Sequence, residues 1–406
     1  HSEYYELSIN KNFILIKGSD KEGLIHGIYS LIQHIPRSKG VNDSKLACLK
    51  VKDYPKFKWR GLLLDCCRHF MSVDFVKRYI DLLAYHKMNI LHWHLTEDQG
   101  WRVEISKYPK LTEVGAWRKQ KNGDVYGGFY TKNQIKEVVN YAYQRGVTVV
   151  PEIELPGHSL AALASYPEYS CTGGPFEVEN NWGVFKDIYC SGNDSTFVFL
   201  QNILDEIIEL FPAQYIHIGG DEAPKYRWEN CSKCKKRILD ENLHDTHELQ
   251  SYFIQRIENY INSKGKKLIG WDEILEGGLA EGATVQSWRG FDGAIDAAKA
   301  GHDAIVSPTS HAYFDYGLDA IDLEKVYRFD PIPKGLSNQE SKYIIGAECN
   351  MWTEHAPQNS IDSKVFPRLL AMSEVLWAYP QLRNYPQFYE SVQEHYKRLD
   401  ILVKFI

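Results

Sequence analysis

From Trp59 onward one unit recurs: a short apolar run, a polar or aromatic residue at its end, a loop, then a segment with helical spacing of apolar residues. Residues 60–65 lead to a helix over 73–87. Residues 89–95 are followed by a long loop and a helix over 132–145, and residues 147–152 by another long loop and a helix over 197–210. The fourth run begins at Tyr215 and precedes a helix over 247–264. Residues 268–271, 284–288 and 303–307 are the fifth to seventh runs, with a helix over 292–300 after the sixth. Residues 343–348 are the eighth run, with a closing helix over 365–377. Eight strand–helix units in series admit few architectures, and a (β/α)8 TIM barrel with enlarged loops uses all of them.

The first residues follow a different rule. Residues 6–10 and 13–17 read as a hairpin turning at Asn10-Lys11-Asn12; residues 21–35 have helical spacing that ends at Pro36. A linker through Asp43 and a strand near 47–51 complete what is expected to be a small, partial α/β domain over 1–54. The barrel is expected over 55–406.

Composition narrows the function classes. The 47 Lys and Arg against 53 Asp and Glu give a net charge of −6 with no basic block, which argues against a nucleic-acid partner. No 18-residue apolar run is present, so no membrane-spanning helix is expected. No signal peptide is visible; with His1 rather than Met at the first position, processing or trimming is expected. The 10 Trp, 26 Tyr and 17 Phe are mostly expected in the core, but aromatic rings in excess of core needs make platforms for the flat apolar faces of ligands, sugars among them. Eight cysteines leave the redox compartment open. Cys171 and Cys190 bracket a Gly/Pro-rich loop and could bridge it. Cys231-Ser-Lys-Cys234 has no second half in the sequence, which favours a local disulfide or free thiols over zinc.

In a barrel of this kind the reactive groups stand at the C-terminal strand ends. Those ends carry Asp65, Asp98, Glu152, Asp221, Glu222, Trp271, Trp288, Tyr313, Asp315, Trp352 and Glu354. An acidic rim walled by aromatic rings is a poor phosphate cradle and a good pocket for a neutral polyhydroxylated ring. The fourth end is the sharpest: a β-branched run drops into Gly219-Gly220 and then into Asp221-Glu222. Glycines let backbone and ligand approach closely, and adjacent acids share one electrostatic environment in which one can stay protonated near neutral pH. His92 and His94 face the same side of their strand, as in some metallohydrolases. The later strands end in acids and tryptophans rather than further ligands, so hydrogen-bonded barrel-lining histidines are favoured over a metal centre. His158, on the loop after the third strand, is better placed to polarise an acid.

These motifs resemble those of glycoside hydrolase family 20, the β-N-acetylhexosaminidases. The matching stretches are Trp59-Arg-Gly-Leu-Leu-Leu-Asp-Cys-Cys-Arg-His-Phe70, His92-Trp-His-Leu-Thr-Glu-Asp-Gln-Gly-Trp-Arg102, Pro151-Glu-Ile-Glu-Leu-Pro-Gly-His158, His217-Ile-Gly-Gly-Asp-Glu222, Trp271-Asp-Glu273 and Trp352-Thr-Glu354, in family order. The resemblance implies a retaining exo-hydrolase of terminal β-linked GlcNAc or GalNAc that needs no cofactor and no metal. It also implies a nucleophile supplied by the substrate's own 2-acetamido oxygen, through an oxazolinium intermediate. Glu222 is then the general acid and base, and Asp221 orients the acetamido group. Arg60 is expected to hold the 3- and 4-hydroxyls, Glu354 the 4-hydroxyl, and Asp315 the 4- or 6-hydroxyl. Tyr313 would donate to the acetamido oxygen; Trp271, Trp288 and Trp352 would box its methyl group; Asp98 and His158 would tune Glu222. Glu97 and Glu154 stand where many relatives have aspartate, and an extra methylene moves a carboxylate by about 1.5 Å, so retuned rather than lost activity is expected. A silent carbohydrate-binding barrel and a metal-dependent hydrolase are the competing readings; the intact acid pair opposes the first and the missing late-strand ligands the second. The expected partner is a carbohydrate, and the expected location is secreted, periplasmic or cell-surface.

Overall fold

The computed structural model of the chain describes residues 1–35 and 45–399. The linker expected through Asp43 lies outside the described residues. Strands Tyr5–Ile9, Ile14–Gly18 and Leu49–Asp53 form an antiparallel sheet with Tyr5–Ile9 in the centre. Helix Lys21–His34 lies between the second and third of these in the chain, its first turn capped by the Asp20 carboxylate, which accepts from the Gly23 N–H. Alternation buries Tyr5, Leu7 and Ile9 on one face, where Leu31, Val51 and Trp377 meet them.

The remaining chain closes into a barrel of eight parallel strands: Trp59–Asp65, Ile90–His94, Thr148–Leu155, Tyr215–Gly219, Lys267–Trp271, Thr284–Ser287, Ala304–Val306 and Ile344–Met351. The eighth strand closes it on the first, with Gly346 opposite Trp59 and Met351 opposite Leu64. All seven residues of the first strand are buried, as a parallel strand covered on both faces requires. Helices start where polar caps stand: Ser72 ahead of Val73–Tyr85, and a reciprocal Thr131/Gln134 pair ahead of Lys132–Gln144. The closing helix expected over 365–377 is broken into Ile361–Val365 and Arg368–Trp377, because Pro367 has no N–H to continue the ladder.

The barrel interior is layered. Its floor is apolar: Trp59, Ile90, Val150, Ile269 and Ile305. Above it lies a fully buried polar layer of His92, Glu152, His217, Gln286 and Glu348. His92 meets Glu348 through Nδ1 at 2.7 Å and Glu152 through Nε2 at 3.1 Å. The Gln286 amide donates to Glu348 at 2.9 Å. Burial alone would depress the His92 pKa, but Glu348 and Glu152 push it up to about 10. Glu152, expected at the rim, belongs to this layer. Its strand runs on to Leu155, so the rim position falls to Glu154.

Candidate active site

The rim is built around the turn after the fourth strand. Gly219 and Gly220 have φ of 66° and 89°, and Glu222 itself is left-handed at 45°. Gly219 is required by space as well as by φ: a Cβ there would fall 1.7 Å from Glu154 Oε2. Facing this turn, His158 is also left-handed, at 46°. Two non-glycine residues held in that sparsely populated region, one opposite the other, store backbone strain where their side chains meet.

His158 connects the acids. Its Nε2 lies 3.4 Å from Glu222 Oε2 and 3.6 Å from Asp221 Oδ2. Its Nδ1 lies 2.7 Å from Glu97 and 3.2 Å from Asp98. Burial works against a charged His158, yet the carboxylates of Glu97, Asp98 and Glu222 hold its pKa well above the usual range. The two acids split accordingly. The hydrogen bond from His158 lowers Glu222, whereas burial, with Glu273 and Glu152 nearby, raises Asp221 well above the usual carboxylate range. Burial also raises Glu154, with Asp221 beside it. Asp98 is pushed up to about 6 by burial; Glu97, although buried, is held at about 2 by Arg68 and His158.

A cavity of about 180 Å³ opens above these groups. Trp271, Trp352, Trp288 and Tyr313 wall it; Trp271 and Trp352 are tilted with ring centres 5.9 Å apart, and Trp288 stacks on Tyr313 at 6.2 Å. Two indoles are fixed from behind, Trp271 by Glu152 at 2.8 Å and Trp288 by Glu273 at 2.9 Å. Arg68, Glu354 and Asp315 also line it, the last pushed up to about 7 by burial. Asp221 Oδ1 and Asp315 Oδ1 are buried and accept no hydrogen bond among the described residues. Buried polar atoms are ordinarily paired, so these two are poised for a ligand's donors.

A family model described as the glycosyl hydrolase family 20 catalytic domain matches residues 57–380. The chain belongs to glycoside hydrolase family 20. It is 45% identical to a beta-hexosaminidase of Porphyromonas gingivalis over 98% of this chain and 54% of that protein. Among solved structures it is similar to a Flavobacterium johnsoniae chitobiase (36% identity, TM-score 0.88, 98% of this chain and 60% of that one). It is also similar to a Vibrio harveyi family 20 exo-beta-N-acetylglucosaminidase in complex with N-acetylglucosamine (32%, TM-score 0.91, 98% and 66%). The chain thus spans between about half and two thirds of the length of these relatives.

Within this family 20 domain, Asp221, Glu222, His158, Trp271, Trp288, Tyr313, Asp315, Trp352 and Glu354 all line the one cavity. Asp98 sits behind His158 and shares its Nδ1 with the nearer Glu97. Arg60 is the correction. It begins its strand at the opposite end of the barrel, where its guanidinium binds Glu3 and the carbonyls of Phe57 and Lys87. The rim arginine is Arg68, beyond the strand's C-terminal end, 2.9 Å from Glu97 and with its guanidinium 5.2 Å above Trp352. The strand-end rule already pointed there: Arg60 opens its strand and Arg68 follows it. Tyr316, which also lines the cavity, carried no signal in the sequence.

Proposed function

We propose that this domain removes terminal, non-reducing β-linked N-acetylhexosamine from glycans or chito-oligosaccharides, with retention and with the substrate's acetamido oxygen as nucleophile. The carrying observation is the pairing of Asp221 and Glu222 on one strained turn, bridged by a single histidine and set against an indole-lined wall. A double displacement with an enzyme nucleophile wants two carboxyls about 5–5.5 Å apart across the scissile bond, an arrangement that neighbours in sequence make awkward.

Each group then has a task. Asp221 Oδ1 accepts the acetamido N–H, which raises the basicity of the carbonyl oxygen as it attacks the anomeric carbon. Tyr313 donates to that oxygen, and Trp271, Trp288 and Trp352 press the methyl group so that the reacting atoms stay in attack geometry. Glu222 protonates the departing glycosidic oxygen and then takes a proton from the water that opens the oxazolinium ring. The amide donor stabilises the Asp221 carboxylate, and His158, within 3.6 Å of both acids, offers a route for the released proton to reach Glu222. Arg68, in place of Arg60, holds the 3- and 4-hydroxyls, with Glu354 on the 4-hydroxyl and Asp315 on the 4- or 6-hydroxyl.

The test is inhibition by a thiazoline analogue of the oxazoline. Binding much tighter than N-acetylglucosamine itself is the expected result, because the fused ring mimics the intermediate. Binding no tighter than the sugar would remove the substrate-assisted step.

A further inference from the structure

Outside the rim, four cysteines distant in sequence converge. Cys171 follows the turn Pro167–Tyr169, Cys190 precedes helix Asp194–Leu210, and Cys231 and Cys234 stand at the cap and in the first turn of helix Ser232–Asp240. Their sulfurs all lie within 4.8 Å of one another. Cys234 is 3.8 Å from Cys171 and 3.7 Å from Cys190, and Cys190 is 3.9 Å from Cys231. The expectation that Cys231-x-x-Cys234 lacks a second half therefore fails, because the fold supplies it as Cys171 and Cys190.

We infer that these four residues form a tetrathiolate site for zinc, a structural centre separate from the sugar pocket and independent of the reading given to that pocket. The geometry fits the ion. With metal–sulfur bonds of about 2.3 Å, a regular tetrahedron has sulfur–sulfur edges of about 3.8 Å, and the three contacts straddle that value. Cys190 approaches Cys231 and Cys234 almost equally, which singles out no disulfide partner. The local backbone fits as well. The Gly192 N–H donates to the Cys190 sulfur, and Gly192 lies so close to the helix start that a Cβ would sit 2.4 Å from the Cys234 nitrogen. Ile188, Trp228 and Leu249 pack around the cluster, in which Cys190, Cys231 and Cys234 are buried and Cys171 is half-buried. Four protein ligands leave no open position, so the centre is one of folding rather than of chemistry, and it forms with release of the thiol protons.

Its place in the fold says what it holds. Cys171 and Cys190 lie on the long loop that leaves the third strand after His158. Cys231 and Cys234 lie on the segment that leaves the fourth strand after Asp221 and Glu222. Ala223, next to Glu222, packs into the same cluster. The Tyr189 N–H donates to the Pro156 carbonyl at 3.0 Å, folding the first loop back on its start, and the Trp228 indole donates to the Tyr189 carbonyl at 2.8 Å, joining the second loop to the first beside the cysteines. The excursion between Cys171 and Cys190 carries Trp182, whose ring lies 5.3 Å from the Arg118 guanidinium. One zinc ion would thus tie together the two loops that aim His158 and Glu222 at each other.

The experiment is metal analysis of the purified chain prepared without chelator, joined to intact mass under denaturing conditions. One zinc per chain is expected, with the full mass of the reduced protein. A chain lighter by the hydrogens of two disulfides that map to these cysteines, or a reduced chain that takes up no zinc, overturns the proposal. Replacement by cobalt should give the charge-transfer and visible bands of a tetrahedral thiolate complex in the parent chain, and their absence counts equally against it. Cys234→Ser should lose the ion and melt at lower temperature, whereas Cys48→Ser should keep it. The cobalt spectrum needs no variant to fold, so it decides the matter if Cys234→Ser does not.

Discussion

Arg60 and Arg68 stand at the two ends of one strand and its turn, both buried, and they do opposite things. Arg60 uses its donors within the chain: Nε to the Lys87 carbonyl at 2.8 Å, Nη1 to the Phe57 carbonyl at 2.8 Å, and both Nη atoms to Glu3. Arg68 pairs closely with Glu97 alone, at 2.9 Å; it reaches Asp65 at 3.4 Å and Glu354 at 3.9 Å, and its Nε has no partner among the described residues. The two mouths of the barrel differ in the same sense. The N-terminal mouth holds the larger cavity, about 570 Å³ lined largely by residues such as Val139, Val147, Pro212 and Ile345. The rim cavity is smaller, yet it gathers the acids with unused lone pairs. Size does not mark the site; unsatisfied hydrogen-bonding capacity does.

The largest effect should come from the rim. Glu222→Gln is expected to cut kcat/KM by about 10²–10⁴-fold on an aryl N-acetyl-β-glucosaminide with a weakly acidic phenol, and far less with a strongly acidic one. An equal loss on both would place the proton donor elsewhere. The arginines should separate next. Arg68→Ala should lower kcat/KM by about 10- to 100-fold, the value of hydrogen bonds to a charged donor, and should also lower the melting temperature, because the buried Glu97 and Asp65 lose their cation. Arg60→Ala should leave kcat/KM of the folded fraction near the parent's and cost about 3–5 kcal/mol of stability, because the buried Glu3 loses its guanidinium and keeps only His26. Denaturation curves and kinetics on both variants check this, and exchanged effects would reverse the assignment.

Acid titration sharpens the same contrast. Burial would raise the Glu3 carboxyl, but His26 and Arg60 hold it at about 2 against an ordinary 4.5. A depressed acid pKa contributes stability that is present above its unfolded value and is lost as pH falls through its folded one. About 3 kcal/mol should therefore disappear between pH 4.5 and 2 in the parent, and much less in Arg60→Ala. The smallest effect belongs to Glu154→Asp. This shortening should change kcat by a few-fold and KM little, since Glu154, although it lines the cavity, abuts Asp221 and its turn.

The barrel was legible because buried parallel strands read as apolar runs between amphipathic helices, and all eight lie where those runs fall. The ends of the third and eighth strands were not. An acid normally marks a strand's end, but here Glu152 and Glu348 are buried in a polar layer inside the barrel, and both strands continue past them. Asp221 and Glu222 were legible from the glycines that set their turn. Arg60 was misplaced although strand direction identifies Arg68, since a motif match carries no information about which end of its strand a residue occupies. The pairing of His158 with Glu97, and the meeting of Cys171 and Cys190 with Cys231 and Cys234, depend on loops brought together only by tertiary structure. No local pattern encodes them.

The central claim is that Asp221 and Glu222 work with a nucleophile carried by the substrate. It is tested most directly by kcat/KM across substrates whose N-acetyl group bears zero, one, two and three fluorines. Fluorine withdraws electrons from the acyl oxygen, so participation predicts a steep, monotonic fall along the series. A flat series, with the rate unaffected by the basicity of that oxygen, would contradict it.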